Sequence, residues 1–546
     1  MAKPKAVATS YAADTAAPCK SVVERVMAHF EEHDLKMHGA LLVWLVLLLV
    51  RWMVGLHSYS GAHTPPMFGD YEAQRHWMEI TLHVPLSNWY FNTTTNDLLY
   101  WGLDYPPLTA YVSYVCGWLF HRVEPDMVAL TTSRGYETPT SKVLMRLSVI
   151  ACDALLFFPA IWLVARWVHR QQWTKQTSFV LLVLLQPSLL LIDHGHFQYN
   201  NVCLGFTALA VALILRGHEF LGSISYCLAL NFKQMALYYA PAFGVFLLAR
   251  CIYRPNFVVH IIKLAVAVVA TFALLWAPFC LVVAKDQTCL SSIGQVLHRI
   301  FPFARGLFED KVANVWCVLD LVVKIKRHVT PVTQMRLCTL ATLVGFLPSV
   351  IDLLRRKPTP LRFVLALANA SLSFFLFSFQ VHEKSILLPL LPVSLLFGHI
   401  SLISGWFSVI STFSMYFLLQ KDGLTVPYIA LQIFYCAVAI YPFLSSSSHL
   451  QPSARVHTPG FDGNGAPHWL LRIAVVLSLC GALACHAAHV LVTPPARYPH
   501  IHDYLVATYS CGHFVLMLFY CTYWQWTVLE PDSAVPTKQL QQKKRQ

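Results

Sequence analysis

The chain is 546 residues long, 56% hydrophobic and only 12% charged, with a formal net charge of +13 and a mean hydropathy of +0.53. This excludes a soluble globular protein, because many apolar runs reach the roughly 20 residues that a helix needs to cross a hydrocarbon core. A closed β-barrel would show alternating segments of roughly ten residues instead. No Lys/Arg block with interleaved aromatics marks a nucleic-acid surface, so the basic residues read as orientation signals beside spans.

The expected fold is an all-α polytopic membrane protein with about fourteen transmembrane helices. Residues 1–40 are polar and mixed in charge, lack the apolar core of a cleavable signal peptide, and are expected to form a cytosolic tail. Spans are expected near 41–57 and 145–168. The loop between them, 58–143, is too long and too patterned for a mere connector. Inside it, Leu108 to Phe120 follows Pro106-Pro107 and is expected to form a helix lying in the interface, since proline suits a helix start.

If that piece does not cross, the links Arg166–Lys175, Arg216–Glu219, Arg250–Arg254 and Arg355–Lys357 all fall on the cytosolic side. The lumen then receives loop 58–143, His194–Asn201, Asn231–Met235, Asp286–Asn314 and Gln380–Ser385. Lys324-Ile325-Lys326-Arg327 lands there against the positive-inside rule, and a crossing at 312–325 would move it only by reversing 380–385. Later spans are expected near 337–354, 361–379, 386–400, 402–420, 425–444, 468–492 and 503–528. The Ser/Gly/Pro-rich stretch 445–467 reads as a cytosolic linker.

The expected division is a catalytic membrane module 41–400 with luminal loops 58–143 and 284–335, C-terminal membrane helices 401–530, and a cytosolic tail 531–546. An even number of spans puts both termini in the cytosol. There Lys543-Lys544-Arg545-Gln546 has the form of a dilysine retrieval signal, although short basic tails are common. No internal repeat supports a transporter built from halves. The 15 cysteines lie mostly inside apolar runs, without Cys-x-x-Cys spacing, and are expected to be free. Cys280 and Cys289 flank a luminal loop and could pair, but free thiols are the expectation there too.

Chemistry is concentrated in the polar breaks. Gly69-Asp70-Tyr71-Glu72-Ala73-Gln74-Arg75-His76-Trp77 follows Pro65-Pro66, and a turn there would present the Asp70 carboxylate from a braced loop. Asp70 could equally cap the helix that follows. Tyr100-Trp101-Gly102-Leu103-Asp104-Tyr105 offers a second carboxylate and aromatic faces suited to sugar rings, though Trp101 and Tyr105 also fit an interfacial aromatic belt. In Asp193-His194-Gly195-His196, His194 and His196 are too sparse for a metal site, so these groups are expected to hydrogen-bond one another or line a wet cavity. Lys233, set in an apolar hairpin, is expected to face the cavity rather than lipid.

Arg305 and Lys311, in the mixed-charge stretch Arg305–Lys311, read as a luminal loop or a solvated turn. His382 and Lys384 stand two residues apart at a helix end, suited to an anionic group such as phosphate. One base with cationic donors suits transfer from a phosphate leaving group, which needs no acid to protonate it. Neither a nucleotide cradle nor a Ser-His-Asp pattern is present.

Four stretches carry a resemblance: Ser60–Trp77, Tyr100–Leu108, Gly306–Asn314 and Phe377–Ser385. Together they closely resemble the dolichyl-phosphate-glucose-dependent α-1,3-glucosyltransferases of the endoplasmic reticulum, and the wording at Glu72–Trp77 and Tyr100–Pro107 is similar to the branch that adds the first glucose. The resemblance covers about residues 41–530. It implies a GT-C type fold, a dolichyl phosphate β-glucose donor and a nine-mannose dolichyl-pyrophosphate-linked oligosaccharide acceptor. Transfer is implied to be α-1,3 with inversion, from a luminal site in the endoplasmic-reticulum membrane, with no metal and no cofactor.

By the same resemblance, Asp70 matches the general base, Asp104 a second carboxylate, and His382 a residue near the donor phosphate. Charge and side assign Lys384, Arg305 and Lys311 to that phosphate, and Glu72 and Arg75 to the acceptor side with Trp101, Tyr105, His194, His196 and Lys233. Asn92-Thr93-Thr94 is a luminal sequon and a possible glycosylation site. The alternatives are the sister enzyme adding the second glucose, or a membrane transporter or scaffold.

Overall fold

In the computed structural model, residues 21–301, 311–445 and 468–528 are described. Arg305, most of the expected linker 445–467, the first 20 residues and the C-terminal lysines lie outside them. The described residues form helices and connecting loops, with no strands among them. Nine of these helices are long and apolar enough to cross a membrane, ten if one bent pair counts as a single span. The protein is a multi-span membrane protein.

The chain enters on α1 (Val22–Glu32), which begins at a capping box built by Ser21 and Glu24. Part of the expected tail is therefore helical, and the first long apolar helix, α2 (Lys36–Gly55), starts earlier than 41. Loop 58–143 contains α3 (Asp70–His83) and α4 (Pro107–Phe120), each 14 residues and so about 21 Å long. The second starts with proline at its first turn, as expected. Gly117 lets the two helices nearly touch: a Cβ there would lie 2.7 Å from the Met78 carbonyl oxygen.

Then follow α5 (Pro139–Val168) and the bent pair α6 (Trp173–Leu184) with α7 (Pro187–Phe197), which turn by 54° at their break. After them come α8 (Asn200–Leu215) and α9 (Glu219–Phe232), then α10 (Gln234–Ile252) and α11 (Phe257–Leu281). Next is the short α12 (Cys289–Ile300). Cys280 at the end of α11 and Cys289 at the start of α12 form a disulfide, which corrects the expectation of free thiols. They stand nine positions apart in the sequence, but the turn brings their Cα atoms to 4.2 Å, within bonding reach.

Residues 312–325 do not make a crossing. They hold α13 (Val315–Val323), nine residues and about 14 Å, too short for a span. The helices that follow are α14 (Pro331–Arg355), α15 (Pro360–Phe377), α16 (Leu387–Leu395), α17 (Phe397–Phe413), α18 (Tyr416–Lys421), α19 (Thr425–Ser445), α20 (His468–Leu491) and α21 (Ile501–Thr527). The spans expected at 386–400 and 402–420 appear as the shorter, broken helices α16 to α18, with non-helical backbone at Ile400.

The polar breaks gather at one face. Ser60, just beyond α2, donates its backbone N–H to the His196 carbonyl at 3.0 Å. The end of α21 lies at the other face, where Arg356 donates to the Trp526 carbonyl at 2.6 Å and Arg362 to that of Val528 at 2.8 Å. The start of α2 and the end of α21 therefore both point away from the motif loops.

Candidate active site

Asp70 is the first residue of α3, with Gly69 at the cap position, so its carboxylate is not used as the helix cap. Gly69 is required by packing, since a Cβ there would sit 2.5 Å from the Ser60 carbonyl. The Ser60 hydroxyl accepts the Asp70 N–H at 3.3 Å. Around the carboxylate, Lys384, Gln198 and His196 converge on a single oxygen, Oδ2. Lys384 and Gln198 donate to it, and His196 Nε2 lies at 3.0 Å.

The far side of that imidazole is held as well, with Nδ1 2.5 Å from Asp422 Oδ2. Lys384 Nζ is also 3.1 Å from His196 Nε2. Burial alone would raise the Asp70 pKa, but the Lys384 ammonium and the His196 contact hold it well below the usual carboxylate range. Lys384 is pushed up in turn: burial opposes its charge, and the Asp70 carboxylate more than offsets it. Each charge thus favours the other.

Two cavities meet at this point. One, of about 530 Å³, is walled by rings and aliphatic chains such as Trp77, Tyr105, Tyr238, Phe374 and Leu387. The other, of about 880 Å³, is lined by charged groups including Lys311, Asp320, Lys326, Lys421 and Asp503. Asp70, Trp101, His382 and Lys384 line both. A carboxylate beside an ammonium, placed between an apolar and a polar chamber, suits deprotonation of a hydroxyl next to an anionic leaving group.

The sequence carries the same assignment. Residues 46–520 match the ALG6, ALG8 glycosyltransferase family. The chain belongs to this family. A Gallus gallus protein named dolichyl pyrophosphate Man9GlcNAc2 alpha-1,3-glucosyltransferase is 44% identical over 487 residues, 87% of this chain and 94% of that protein. The Mus musculus protein of that name is 44% identical over 493 residues, covering 88% and 94%. The Saccharomyces cerevisiae one is 40% identical over 507 residues, covering 89% and 90%. This chain is thus a glycosyltransferase with a multi-span helical fold.

Within the glycosyltransferase, the expected residues divide into those at the cavities and those behind them. Asp104, Tyr105 and Lys233 line the apolar cavity, His196 and Lys311 the polar one. Lys233 donates to Asn200 Oδ1 at 2.5 Å and sits 5.1 Å from the centre of the Tyr105 ring. Lys311 pairs with Asp503 at 2.7 Å. Lys326 lines the cavity that Asp70 lines, so residues 324–327 share the face of the motif loops. Asn92 is exposed, its side-chain oxygen accepting the Leu98 N–H at 3.2 Å.

Glu72, Arg75 and His194 line neither cavity. Arg75 is fully buried and grips Glu72 at 2.7 Å, Glu79 at 2.8 Å and the Met127 carbonyl at 3.0 Å. Tyr100 donates to the same Glu72 at 2.8 Å. These groups lock the loop together, and removing one partner from such a buried cluster costs about 3–5 kcal/mol. His194 is likewise spent on Asp153 at 3.0 Å, which also binds Arg51 at 2.6 Å. Their charges and positions in the sequence match a cavity role, but the side chains point into helix packing.

Two contributors escaped the sequence reading, Gln198 and Asp422. Gln198 stands inside an already noted stretch with nothing to single it out. Asp422 had a usable signal, because it follows the expected span 402–420 and so falls on the side of the other motifs. Among the described residues, no group of three or more His, Cys, Asp or Glu side chains is placed to hold a metal ion.

Proposed function

We propose that the protein transfers the first glucose from dolichyl phosphate β-glucose to the nine-mannose dolichyl-pyrophosphate oligosaccharide, in α-1,3 linkage and with inversion. The site faces the lumen of the endoplasmic reticulum, the helices cross about fourteen times, and both termini are cytosolic. The acceptor matches the printed name of the relatives. The observation that carries the reading is the junction of the apolar and polar cavities at Asp70 and Lys384.

The glucosyl phosphate end of the isoprenoid donor occupies the apolar chamber, with Lys384 and His382 at its phosphate, and the glycan enters through the polar chamber. Asp70 takes the proton of the attacking mannose hydroxyl. The hydroxyl oxygen forms the new bond to C1 of glucose as the C1–O bond to phosphate breaks, and that electron pair leaves on the phosphate. Asp104, Trp101 and Tyr105 border the sugar, while Glu72 and Arg75 hold the loop that carries the base. Lys311 stands at the polar chamber, and Arg305 completes the cationic set assigned to the phosphate.

The test is turnover of purified protein with dolichyl phosphate glucose and the nine-mannose acceptor. Asp70→Asn should lower kcat by about 10²–10⁴-fold with folding intact. Near-normal turnover of that variant would refute the base assignment. Preference for a mono-glucosylated acceptor would reassign the protein to the second-glucose reaction.

A further inference from the structure

Asp70 must lose the proton it gains before it can act again. Among its described side-chain partners, Lys384 and Gln198 can only offer protons through the nitrogens that face it. The imidazole of His196 can receive one. When Asp70 is protonated, a neutral ring with its own hydrogen on Nδ1, directed at Asp422 2.5 Å away, offers an Nε2 lone pair to the Asp70 O–H, with 3.0 Å between nitrogen and oxygen. We propose that His196, positioned by Asp422, is the relay that takes the proton from Asp70 after each glucosyl transfer and delivers it to the polar cavity. The proposal rests on the reading of Asp70 as general base.

The geometry is that of an imidazole clamped between two carboxylates. His196 is 2% exposed, so its ring cannot swing freely, and the Asp422 side chain is 4% exposed. Asp422 stands between α18 and α19, and Gly423 just behind it, at φ +75°, turns the chain there. His196, Asp422 and Asp70 all line the 880 Å³ polar cavity, so the path ends where water can enter.

The charged groups facing the ring come from three parts of the fold, Asp70 of α3, Lys384 before α16 and Asp422 before α19, and Arg146 of α5 stands behind them. Arg146 donates to the Gly195 carbonyl at 2.8 Å and acts on Asp422. In the relay step the Asp70 O–H bond breaks and an N–H bond forms at Nε2. This gives an imidazolium stabilised on both nitrogens by carboxylates. Cavity water then accepts the proton, restoring the neutral ring and the ionised base.

The experiment measures kcat, KM and the pH profile of kcat for the purified full chain with both substrates, comparing wild type with Asp422→Asn, Asp422→Glu, His196→Gln and Asp70→Asn. Asp422→Asn should lower kcat about tenfold or more while leaving KM within about twofold. Its acid limb should move to lower pH, because an imidazolium lacking one carboxylate gives up its proton more readily and the ring stays neutral further into acid. Asp422→Glu should restore both properties.

A wild-type kcat and profile in Asp422→Asn overturns the relay. So does a profile scaled down evenly, with an unmoved limb and no rescue by Glu. If thermal unfolding shows that Asp422→Asn does not fold, His196→Gln decides: loss of the limb supports the relay, and an unchanged limb overturns it. An active Asp70→Asn would instead sink the base reading.

Discussion

Lys384 gives the site its pH response. Its ammonium is the largest influence lowering the Asp70 pKa, against burial that by itself would raise it. In Lys384→Met the burial remains and the attraction is gone, so the Asp70 pKa must rise. A base acts only when ionised, so Asp70 should then contribute to the acid limb beside His196 and move it to higher pH, opposite to the shift expected of Asp422→Asn. Turnover at neutral pH should also fall by about 10²-fold or more, since the departing phosphate loses a cation. A pH profile of kcat checks both, and an unmoved or lowered limb would refute the coupling. The chemistry of this cluster was legible because ionisable residues are costly beside a membrane. Its geometry was less so: His194 and His196 are separated by one residue, yet one is bound to Asp153 and the other to Asp70. Charge and spacing cannot tell such neighbours apart, because the direction of a side chain depends on the bend between helices.

At the scale of the elements, α12 couples a covalent tie to the acidic loop. The Cys280–Cys289 disulfide fastens its first residue to the end of α11. Near its other end, Arg299 donates to the Gly102 carbonyl at 2.9 Å and to that of Leu103 at 3.2 Å, next to Asp104. Gln295 adds a bond to the Tyr90 carbonyl at 2.9 Å. Replacing both cysteines with serine should lower stability by about 2–3 kcal/mol, the range for closing a short loop, and raise KM more than it lowers kcat. Thermal unfolding and steady-state kinetics report the two effects, and an unchanged unfolding temperature would show that the tie contributes nothing. The long helices of the fold were legible because a 20-residue apolar run has few other fates. The break among α16, α17 and α18 was not, since it turns on local backbone at Ile400 within an almost unbroken apolar sequence. The disulfide was hidden for a similar reason, as pairing depends on a Cα approach that spacing does not encode.

At the scale of the whole molecule, the arrangement of ends decides which compartment the site serves. The loops bearing Asp70, His196, Lys384 and Asp422 meet at one face, and the C-terminal end of α21 reaches the other. At that second face Glu219 binds Arg250 at 2.6 Å and Arg254 at 2.8 Å, a basic cluster of the kind retained in the cytosol. A luminal site therefore requires Asn92, exposed in loop 58–143, to meet the glycosylation machinery, and the loop 216–219 never to do so. The protein expressed in microsomes should show a glycosidase-sensitive gel shift that Asn92→Gln removes. An acceptor sequon inserted between Arg216 and Glu219 should stay unmodified, whereas one inserted at 284–288, beside the disulfide, should be modified. The paired insertions separate topology from the efficiency of any single sequon, because they exchange outcomes if the orientation is inverted. Modification at 216–219 with none at 284–288 would turn Asp70 toward the cytosol and remove the proposed acceptor from its reach.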